Sequence, residues 1–464
     1  MSLLNSLIDV LGKDSVSASK TDLITYSRDN LPLTLFHQRQ NKIMNLPDAI
    51  VWPNNYDDVV KILKFANEKK VPIVPYGAGS GVCGGTVALK GGIIIDLKRL
   101  DKIIAIDDKS LLVTAQSGIN GQILEETLNE KGYTLGHFPA SIYCSTLGGW
   151  LSTKAAGQLS TRYGKIEDMV VAVTAVLPTG EIVSTKAVPR TSTGPTLMHL
   201  FVGSEGTLGI ILDAVLRIWP LPENRETKGF LFKDISSGLE AIRLIMRKGL
   251  RPAVVRLYDE KDTALAMGSL GLKTEKGVLL VLGFEGNKTI VEAESKEGFK
   301  ICLEYNAKDL GKEAGDFWWK HRYDISYKQA EILSEETAIL DTIEVAATWD
   351  KLNNLYDSVK GALDNYGYAM AHFSHVYPEG GCIYFTILGE APSEDESEGF
   401  YKKMWDEVMQ AVINAGGTIS HHHGIGFFKG EWLKKELGSG FDLLRKIKSA
   451  IDPNNIMNPG KLGL

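Results

Sequence analysis

Three consecutive histidines, His421, His422 and His423, lie in the segment SHHHGIG. Imidazoles titrate near neutral pH, so they suit proton transfer, and when protonated they would bind a phosphate dianion. If the segment is extended, His421 and His423 face one way and His422 faces the other. Two same-face histidines with His372 or His375 could also ligate Zn²⁺ or Fe²⁺, and a purely structural cluster is the third interpretation. Because no obvious carboxylate accompanies these histidines, we expect no bound metal.

Two further polar side chains lie within apolar strand patterns. Tyr384 is part of CIYFTI, where alternation puts Cys382, Tyr384 and Thr386 on the more polar face. Arg256, in VVRLYD, is a charge that is costly to bury unless it meets an anion. The simpler interpretations are a core aromatic residue and a structural ion pair.

A glycine-rich loop begins at Pro75 in PYGAGSGVCGGTVALKGGIIIDL, and its residues Gly79–Gly84 read as G-x-G-x-x-G. The dinucleotide fingerprint needs a strand before it, a helix after it and an acidic residue about 20 positions further on. A strand precedes this loop, but the β-branched run Ile93–Ile95 predicts a second strand where the helix should begin. We therefore infer a loop between two strands whose N–H groups line an anion-binding nest.

Two more glycine-rich segments follow, at residues 136–157 and 203–211. Their small residues allow a planar ligand to approach the main chain closely. Together with the loop from Pro75, they make three main-chain contacts within one region. A single phosphate needs fewer, so the pattern favours a long cofactor.

The elements that must position these residues divide the chain into two parts. Residues 47–220 alternate strands and helices, which indicates an α+β domain, with a hairpin turning at 178–180 and a strand pair in GTLGIILDAVLRIWPLP. From about residue 225, charged amphipathic helices alternate with strands and predict an antiparallel sheet covered by helices. We expect an N-terminal helical segment at 1–42, domains at 43–222 and 223–440, and a tail at 441–464 that returns to the first domain.

Composition excludes several classes of function. The chain of 464 residues is 44% apolar and 23% charged, with a net charge of −6, so nothing favours a nucleic-acid partner. The N-terminus predicts a short amphipathic helix without the features of a signal peptide, and no run of 18 apolar residues occurs. We therefore expect a cytoplasmic protein.

The loop from Pro75, the segments STLGGW, STKAAG and GSEGTLGI, and the tail DPNNIMNPGKL together resemble the FAD-binding proteins of the vanillyl-alcohol-oxidase fold, also called the PCMH type. Within that superfamily, GHFPASIYCSTLGGW, PRTSTGPTLMHLFVGSEGTLG, CIYF and SHHHGIG resemble the alkyldihydroxyacetonephosphate synthase branch most closely. The resemblance extends from about residue 45 to the end of the sequence. It implies a two-subdomain FAD-binding domain, FAD as cofactor, and a second, substrate-binding domain.

The same resemblance assigns roles to individual residues. It implies that Pro75–Gly81 wraps the FAD pyrophosphate, that Tyr384 is the acid/base, that His137 sits over the flavin, and that Arg256 matches the arginine needed for activity. His421, His422 and His423 would move protons. The residues assigned to the cofactor are Pro75, Tyr76, Gly77, Ala78, Gly79, Ser80, Gly81, Ala140, Ser141, Ser145, Thr146, Gly149, Thr153, Ala155, Ala156, Glu205, Gly206, Thr207, Gly209, Ile210 and Ile211.

One position departs from the family pattern. The family holds the substrate phosphate with an arginine in a Y-x-R-D-type stretch, whereas HRYDISYKQAEIL aligns Lys328 there, with Arg322 nearby. A lysine binds phosphate as a point charge and lacks the bidentate fork of arginine. We expect Lys328 and Arg322 to hold the substrate phosphate.

The resemblance implies an activity in which a flavin N5 adduct exchanges the acyl group of an acyl-ketone phosphate for a fatty alcohol, as in ether-lipid synthesis. The alternative is an FAD-dependent dehydrogenase or oxidase of D-lactate, glycolate or D-2-hydroxyglutarate. That branch carries G-H-x-G-D-G-N-x-H and E-H-G-I-G metal motifs, and this sequence has no D-G-N and has His422 in place of the glutamate. We expect a lipid-like phosphate as substrate, and the resemblance is compatible with peripheral membrane contact and a homodimer.

Overall fold

A computed structural model describes residues 2–43, 45–269, 276–324 and 329–464. Helices and strands are numbered in chain order. The helices are α1 Leu3–Leu11, α2 Lys20–Thr25, α3 Pro32–Arg39, α4 Tyr56–Lys69, α5 Gly121–Asn129, α6 Leu147–Thr153, α7 Ser160–Tyr163, α8 Ile166–Met169, α9 Met198–Phe201, α10 Ile235–Arg247, α11 Glu260–Ser269, α12 Lys288–Glu304, α13 Glu313–His321, α14 Gln329–Leu333, α15 Trp349–Leu363, α16 Ser397–Asn414, α17 Gly430–Leu437 and α18 Ser439–Ile451.

The strands form four sheets. They are β1 Val16–Ser17, β2 Ala49–Val51, β3 Ile73–Tyr76, β4 Ile93–Asp96, β5 Ile103–Asp107, β6 Leu112–Gln116, β7 Tyr133–Thr134, β8 Val170–Val176, β9 Ile182–Ser184, β10 Ile210–Arg217, β11 Trp219–Pro220, β12 Asn224–Phe232, β13 Val254–Tyr258, β14 Val278–Gly286, β15 Lys308–Asp309, β16 Ala338–Thr348, β17 Gly367–Val376 and β18 Gly380–Glu390. Helices and sheets are mixed, as the sequence predicts.

The first sheet has the order β1-β2-β4-β3, and β4 runs parallel to both β2 and β3. Helix α4 connects β2 to β3, and its buried positions Val59, Ile62, Leu63 and Ala66 follow helical spacing. The glycine-rich loop connects β3 to β4 and contains no helix. This confirms that the G-x-G-x-x-G sequence lies between two strands and is not a Rossmann turn.

The second sheet is antiparallel, with the order β5-β6-β10-β8-β9. Strands β8 and β9 form the predicted hairpin, and Gly180 adopts a φ of +80° at its turn. The predicted pairing within GTLGIILDAVLRIWPLP is wrong, because β10 pairs with β6 and β8 while β11 pairs with β7. No turn residue separates the two runs, so the chain cannot reverse between them.

The largest sheet is antiparallel and has the order β15-β12-β14-β13-β17-β18-β16. Helices α10, α12, α15 and α16 pack their apolar faces on it, and Leu282, Phe373 and Phe385 lie in the shared hydrophobic core. This confirms the predicted antiparallel sheet covered by helices. Among the helices in the described ranges, none combines the length and apolar character that a membrane-spanning segment needs.

Candidate active site

The three glycine-rich segments meet at the end of β3. A Cβ atom on Gly77 would lie 2.4 Å from Thr146 Oγ1, at the start of α6, and one on Gly206 would lie 2.8 Å from Pro75 Cγ. Glycine is therefore required at both close approaches. The structure thus brings together residues as distant in the sequence as Pro75 and Gly206, which are 131 positions apart.

The loop after β3 has the hydrogen-bonding pattern that an anion needs. Lys98 Nζ donates to the Gly77 carbonyl at 3.0 Å, and Asn30 donates to the carbonyls of Gly79 and Gly81 at 3.4 and 2.9 Å. The N–H groups of residues 78–82, in contrast, donate to no acceptor in the described part of the chain. The carbonyls of this loop are therefore hydrogen-bonded, and its N–H groups are free. This is the arrangement of an anion-binding nest, and it fits the pyrophosphate of FAD.

His137 gives a second indication of a bound group. It is fully buried, and neither ring nitrogen has a hydrogen-bond partner among the described residues. Burial lowers the pKa of His137 to about 3, so the imidazole is neutral. Its ring packs edge-on against Trp150 at 4.6 Å. A polar planar ligand would satisfy these nitrogens, whose isolation is otherwise costly.

The remaining predicted cofactor residues surround these two features. Thr146 caps α6, Ser145 Oγ accepts from Trp150 Nε1 at 2.7 Å, and Thr153 Oγ1 donates to the Gly149 carbonyl at 3.0 Å. Ile210 and Ile211 are buried at the start of β10. Tyr76 is the last residue of β3. The others lie in the same loops: Ala78, Ser80, Ala140, Ser141, Ala155, Ala156, Thr207 and Gly209.

A second cluster is centred on Tyr384 in β18. The phenol ring lies between two nearly parallel imidazoles, those of His372 at 5.0 Å and His422 at 6.0 Å, and meets the His423 ring edge-on at 5.5 Å. This confirms that Tyr384 shares a face with polar groups instead of the apolar core. Among the described residues, the His137 ring contacts Trp150 and not Tyr384, so His137 lies outside this cluster.

A β-bulge brings two histidines of β17 to the same cluster. The register between β17 and β18 shifts between Ser374 and Val376, and His375 has a φ of +50°. In a regular strand, positions 372 and 375 would face opposite sides of the sheet. The bulge instead lets the His375 ring lie 5.3 Å from the His421 ring while His372 stacks on Tyr384.

Arg256 lies on β13 at the edge of this cluster. One of its terminal nitrogens is 3.3 Å from His372 Nδ1, and its Nε is buried without a partner among the described residues. The carboxylate of Asp262 lies 3.4 Å from the same His372 nitrogen, and burial raises the pKa of Asp262 to about 6 despite the charge of Arg256. Arg256 is therefore incompletely paired, with donor capacity left for an anion.

The histidine triplet is not extended, so the expected alternation of its side chains is wrong. The N–H groups of His421, His422 and His423 all donate to the carboxylate of Glu344, which is fully buried in β16. Three successive donors can reach one carboxylate only if the backbone curls around it. As a result, the adjacent rings of His421 and His422 meet through their Nδ1 atoms at 3.0 Å.

A second buried carboxylate holds the other end of the same loop. Glu205 accepts hydrogen bonds from the N–H groups of Ile425 and Gly426 at 2.6 and 2.7 Å. Asn458 Nδ2 then donates to the carbonyls of Gly85 and Glu205 at 3.0 and 2.7 Å. Lys461 Nζ donates to the carbonyl of residue 87 at 2.6 Å. The glycine loop, the histidine loop and the C-terminal tail therefore form one continuous structure.

The electrostatics favour neutral imidazoles beside a protonated phenol. Burial lowers the pKa of His421 to about 3 and that of His423 to about 4, and it lowers the pKa of His422 well below its usual value. Burial raises the pKa of Tyr384 to about 12. The protonated, phosphate-binding form of the triplet is therefore disfavoured, and proton transfer is the chemistry that this arrangement can perform.

The side chains that could bind a metal in the structure differ from those that the sequence suggests. Cys382, His421 and His422 place one ligand atom each within 4.8 Å of one another. This set differs from the pair His421 and His423 that alternation would have used. The cysteine is fully buried, and burial raises the pKa of its thiol well above the usual value.

Of the two predicted phosphate ligands, only Arg322 lies within the described residues. Lys328 lies outside the described residues. Arg322 lines a cavity of about 330 Å³, where its guanidinium stacks on Trp319 at 4.2 Å and on Tyr323 at 4.6 Å. This cavity lies between α5 and α13, and its lining contains none of the residues of the Tyr384 cluster.

Several residues of the site were missed by reasoning from the sequence. Glu344 and Lys429 form a buried pair with a distance of 3.3 Å between Nζ and Oε1, and Ser420 Oγ donates to the same carboxylate at 2.7 Å. Glu344 is an acidic residue within the apolar stretch TAILDTIEVAAT. A buried charge of this kind is the same pattern that identified Arg256, so Glu344 could have been found from the sequence. No sequence pattern around His375 indicates its left-handed backbone conformation.

Comparisons with known proteins agree with this architecture. Residues 47–186 match the FAD binding domain family, and residues 221–462 match the C-terminal domain of FAD linked oxidases. Alkyldihydroxyacetonephosphate synthase of Trypanosoma brucei brucei is 32% identical, over 99% of this chain and 80% of that protein. Glycolate oxidase subunit GlcD of Bacillus subtilis is 28% identical, over 98% of this chain and 95% of that protein.

A solved structure of an alkyldihydroxyacetonephosphate synthase superposes with a TM-score of 0.83 at 28% identity, covering 98% of this chain and 84% of that one. The predicted PCMH-type fold and the predicted cofactor are thereby confirmed. The chain belongs to the FAD-linked oxidase family, and FAD is its cofactor.

Proposed function

We propose that this FAD-dependent enzyme exchanges the acyl group of an acyl-ketone phosphate for a long-chain alcohol, as a transferase of the alkyldihydroxyacetonephosphate synthase type. One observation carries the proposal. The Tyr384 phenol stacks between two neutral imidazoles, with Arg256 beyond one of them. This supplies a proton donor and proton acceptors side by side, next to a cation. The similarity to synthases over nearly the whole chain supports the same assignment.

The reaction requires proton transfer but no net oxidation. The C–O bond to the acyl group breaks, a C–O bond to the alcohol forms, and the hydroxyl proton of the alcohol ends on the released fatty acid. When bound, FAD supplies a nucleophilic ring nitrogen for this substitution. Tyr384, which is protonated at neutral pH, donates its proton to the leaving carboxylate, and a neutral imidazole beside it accepts the hydroxyl proton of the alcohol and returns it to the phenolate.

Arg256 and the glycine loops have binding roles in this proposal. The unpartnered Nε of Arg256 and its charge bind the substrate phosphate, with His372 and Asp262 fixing the orientation of the guanidinium. Lys328 and Arg322 stay the phosphate ligands predicted from the sequence, and Arg322 lines the separate cavity between α5 and α13. The free N–H groups of residues 78–82 bind the FAD pyrophosphate. In this proposal, main-chain groups bind the cofactor, and side chains carry out the proton transfer.

The test compares acyl exchange with flavin reduction in the purified holoenzyme. We expect exchange of labelled long-chain alcohol into an acyl-ketone phosphate, and no bleaching of the flavin when D-lactate, glycolate or D-2-hydroxyglutarate is added anaerobically. Bleaching by one of these acids without acyl exchange would replace the proposal by a D-2-hydroxy acid dehydrogenase, the activity suggested by the similarity to glycolate oxidase.

Tyr384→Phe should lower the rate of acyl exchange by about 100-fold, because general acid–base catalysis contributes at least that much. Tyr356→Phe is the matched control. Its hydroxyl is 3.2 Å from Asp259, and its ring stacks on Phe385, on the opposite face of β18. The control should retain exchange, and equal losses in both variants would contradict a role for Tyr384 in proton transfer.

A further inference from the structure

A carboxyl group without a full set of partners lies against the glycine loop. Asp29, between α2 and α3, is 2% exposed, and its Oδ2 has no hydrogen-bond partner among the described residues. A Cβ atom on Gly81 would lie 3.7 Å from this oxygen, so Oδ2 is next to the loop that carries the free N–H groups. Asp29 lies outside the two ranges that match known families, and no sequence pattern marked it as a cofactor residue. A buried oxygen in this state is costly and needs an explanation.

Hydrogen bonds hold Asp29 in this position. Its Oδ1 accepts the N–H of Leu31 at 3.0 Å, and the N–H of the intervening Asn30 donates to the Gly81 carbonyl at 2.9 Å. Thr34 Oγ1 donates to the Leu31 carbonyl at 2.7 Å and closes the turn. One oxygen of Asp29 therefore fixes a turn that is tied to the glycine loop, and the other oxygen remains available.

The titratable groups around Asp29 come from three other elements. The charge of Lys461, in the C-terminal tail, lowers the pKa of Asp29, but its Nζ donates to a backbone carbonyl. Neither Lys461 nor the preceding Arg28 is paired with Asp29 within the described ranges. Tyr76, at the end of β3, and Cys83, in the glycine loop, are neutral because burial raises the pKa of each. Burial of Asp29 outweighs the cation and raises its pKa to about 6.

A bound pyrophosphate adds negative charge to these surroundings. A phosphate oxygen that accepts the N–H of Gly81 would lie at most about 10 Å from Asp29 Oδ2, since one hydrogen bond, two covalent bonds and the 3.7 Å contact separate them. Like charges repel at this separation in a buried site, where salt screens them little. Bound FAD therefore disfavours the ionised carboxylate, as burial already does.

We propose that Asp29 is neutral in the FAD-bound enzyme and that FAD binding at neutral pH is accompanied by the uptake of one proton from solvent at its Oδ2. The new O–H bond converts this oxygen into a hydrogen-bond donor and removes a negative charge from beside the pyrophosphate. No covalent bond to FAD forms and no electron is transferred. The inference goes beyond the proposed function and does not depend on it, because FAD is the cofactor whichever reaction the enzyme catalyses.

The release of FAD from the holoenzyme tests the proposal. Holoenzyme is diluted at a series of pH values between 5.5 and 7.5, and the fluorescence of released FAD at equilibrium gives the Kd. Above pH 6 the flavin-free protein must first gain a proton, so the Kd should rise by about 25-fold across this range. A Kd that does not change with pH would overturn the proposal.

Asp29→Asn separates this carboxyl group from other causes of pH dependence. The amide keeps an acceptor for the Leu31 N–H and supplies an N–H donor where the neutral acid has its O–H. Its Kd should vary by less than about twofold over the same range, and at pH 7.5 it should bind FAD more tightly than the wild type. Glu205 and Lys461 are present in both proteins, so their titration cancels in the comparison. Weaker binding at every pH, or a pH dependence equal to that of the wild type, would contradict the proposal.

Glu125→Gln is the matched control. Glu125 is also a buried carboxyl group with a raised pKa, but both of its oxygens are partnered, by the Thr134 hydroxyl and the Leu135 N–H. This variant should keep the pH dependence of the wild type. Loss of the dependence in the control would show that any buried carboxyl group can produce it, and the assignment to Asp29 would then be wrong.

A proton count keeps the proposal testable if Asp29→Asn does not fold. Calorimetry of FAD binding to the flavin-free full chain at pH 7, in two buffers with different ionisation enthalpies, should show uptake of about 0.9 proton. Glu205→Gln should give the same count. A count near zero in the wild type, or one that disappears in Glu205→Gln, would overturn the assignment to Asp29.

Discussion

Two buried glutamates bind opposite ends of the histidine loop, and their pKa values are shifted in opposite directions. Glu344 accepts the N–H groups of residues 421–423, and Glu205 accepts those of residues 425 and 426. Burial acts to raise both pKa values. Lys429 and the loop donors reverse this effect for Glu344 and lower its pKa to about 2, whereas the pKa of Glu205 remains raised.

A directly paired cation is one cause of the difference between the two pKa values. Lys429 Nζ lies 3.3 Å from Glu344, whereas Lys461, which acts on Glu205 only at longer range, donates to a backbone carbonyl. The two backbone donors of Glu205 therefore do not offset the cost of its burial. At Glu344, a third backbone donor, Ser420 and the directly paired Lys429 together do. The end of the loop that carries the three histidines is held by an ion pair, and the end that contacts the glycine loop is held by hydrogen bonds to a carboxyl group whose pKa is raised.

The largest effect is expected from Glu344→Gln. The amide cannot replace a carboxylate that accepts three backbone N–H groups and Ser420 Oγ, and Lys429 would remain buried without its counter-ion. We expect the free energy of unfolding, measured by urea denaturation of the holoenzyme, to fall by about 3–5 kcal/mol.

The matched double variant Glu344→Gln with Lys429→Met separates the two causes. Removal of the unpaired lysine should recover about 2 kcal/mol relative to Glu344→Gln alone, because the buried charge is then gone. No recovery would mean that the ion pair is unimportant and that the backbone donors alone account for the loss.

A smaller effect is expected from Glu205→Gln. Its carboxyl group has a raised pKa and accepts two N–H groups, so the amide oxygen replaces much of its function. We expect a loss of about 1 kcal/mol in the same urea experiment. A loss as large as that of Glu344→Gln would remove the distinction between the two ends of the loop.

The smallest effect, and the one most specific to the comparison, is opposite pH dependence. The folded-state pKa of Glu344 lies below the ordinary value of 4.5, so its stabilisation is present above pH 4.5 and is lost as the pH falls toward about 2. The folded-state pKa of Glu205 is raised, so its contribution is present below pH 4.5 and is lost as the pH rises through that raised value.

Urea titrations between pH 7 and pH 3 check this prediction. The difference in unfolding free energy between wild type and Glu344→Gln should shrink as the pH falls. The difference between wild type and Glu205→Gln should grow as the pH falls. Parallel trends for the two variants would show that both carboxylates have the same charge state.

The sequence predicts the fold better than it predicts the arrangement of the candidate side chains. Glycine spacing and β-branched runs located the loop between β3 and β4, because local backbone preference decides those conformations. The polar face of Tyr384 followed from strand alternation. The histidine triplet did not, since its backbone conformation is set by Glu344, 77 residues away along the chain for His421. Interactions over that distance leave no local pattern.

The bulge at His375 illustrates the same limit. A φ of +50° is uncommon for any residue other than glycine, and SHVYPEGG contains nothing that places it at His375. Its conformation follows from pairing with β18 and packing on α7, both of which need the assembled sheet. For the same reason, the contacts of His375 with Ser160 and His421 could be found only once the tertiary structure was known.

The contacts between the C-terminal tail and the glycine loop can form only late in the synthesis of the residues that they join. Asn458 and Lys461 hold carbonyls of the glycine loop that lie 373 and 374 positions earlier. A ribosome makes the glycine loop long before it makes these two residues. The contacts that tie this loop to residues 458 and 461 can therefore form only after both have been synthesised.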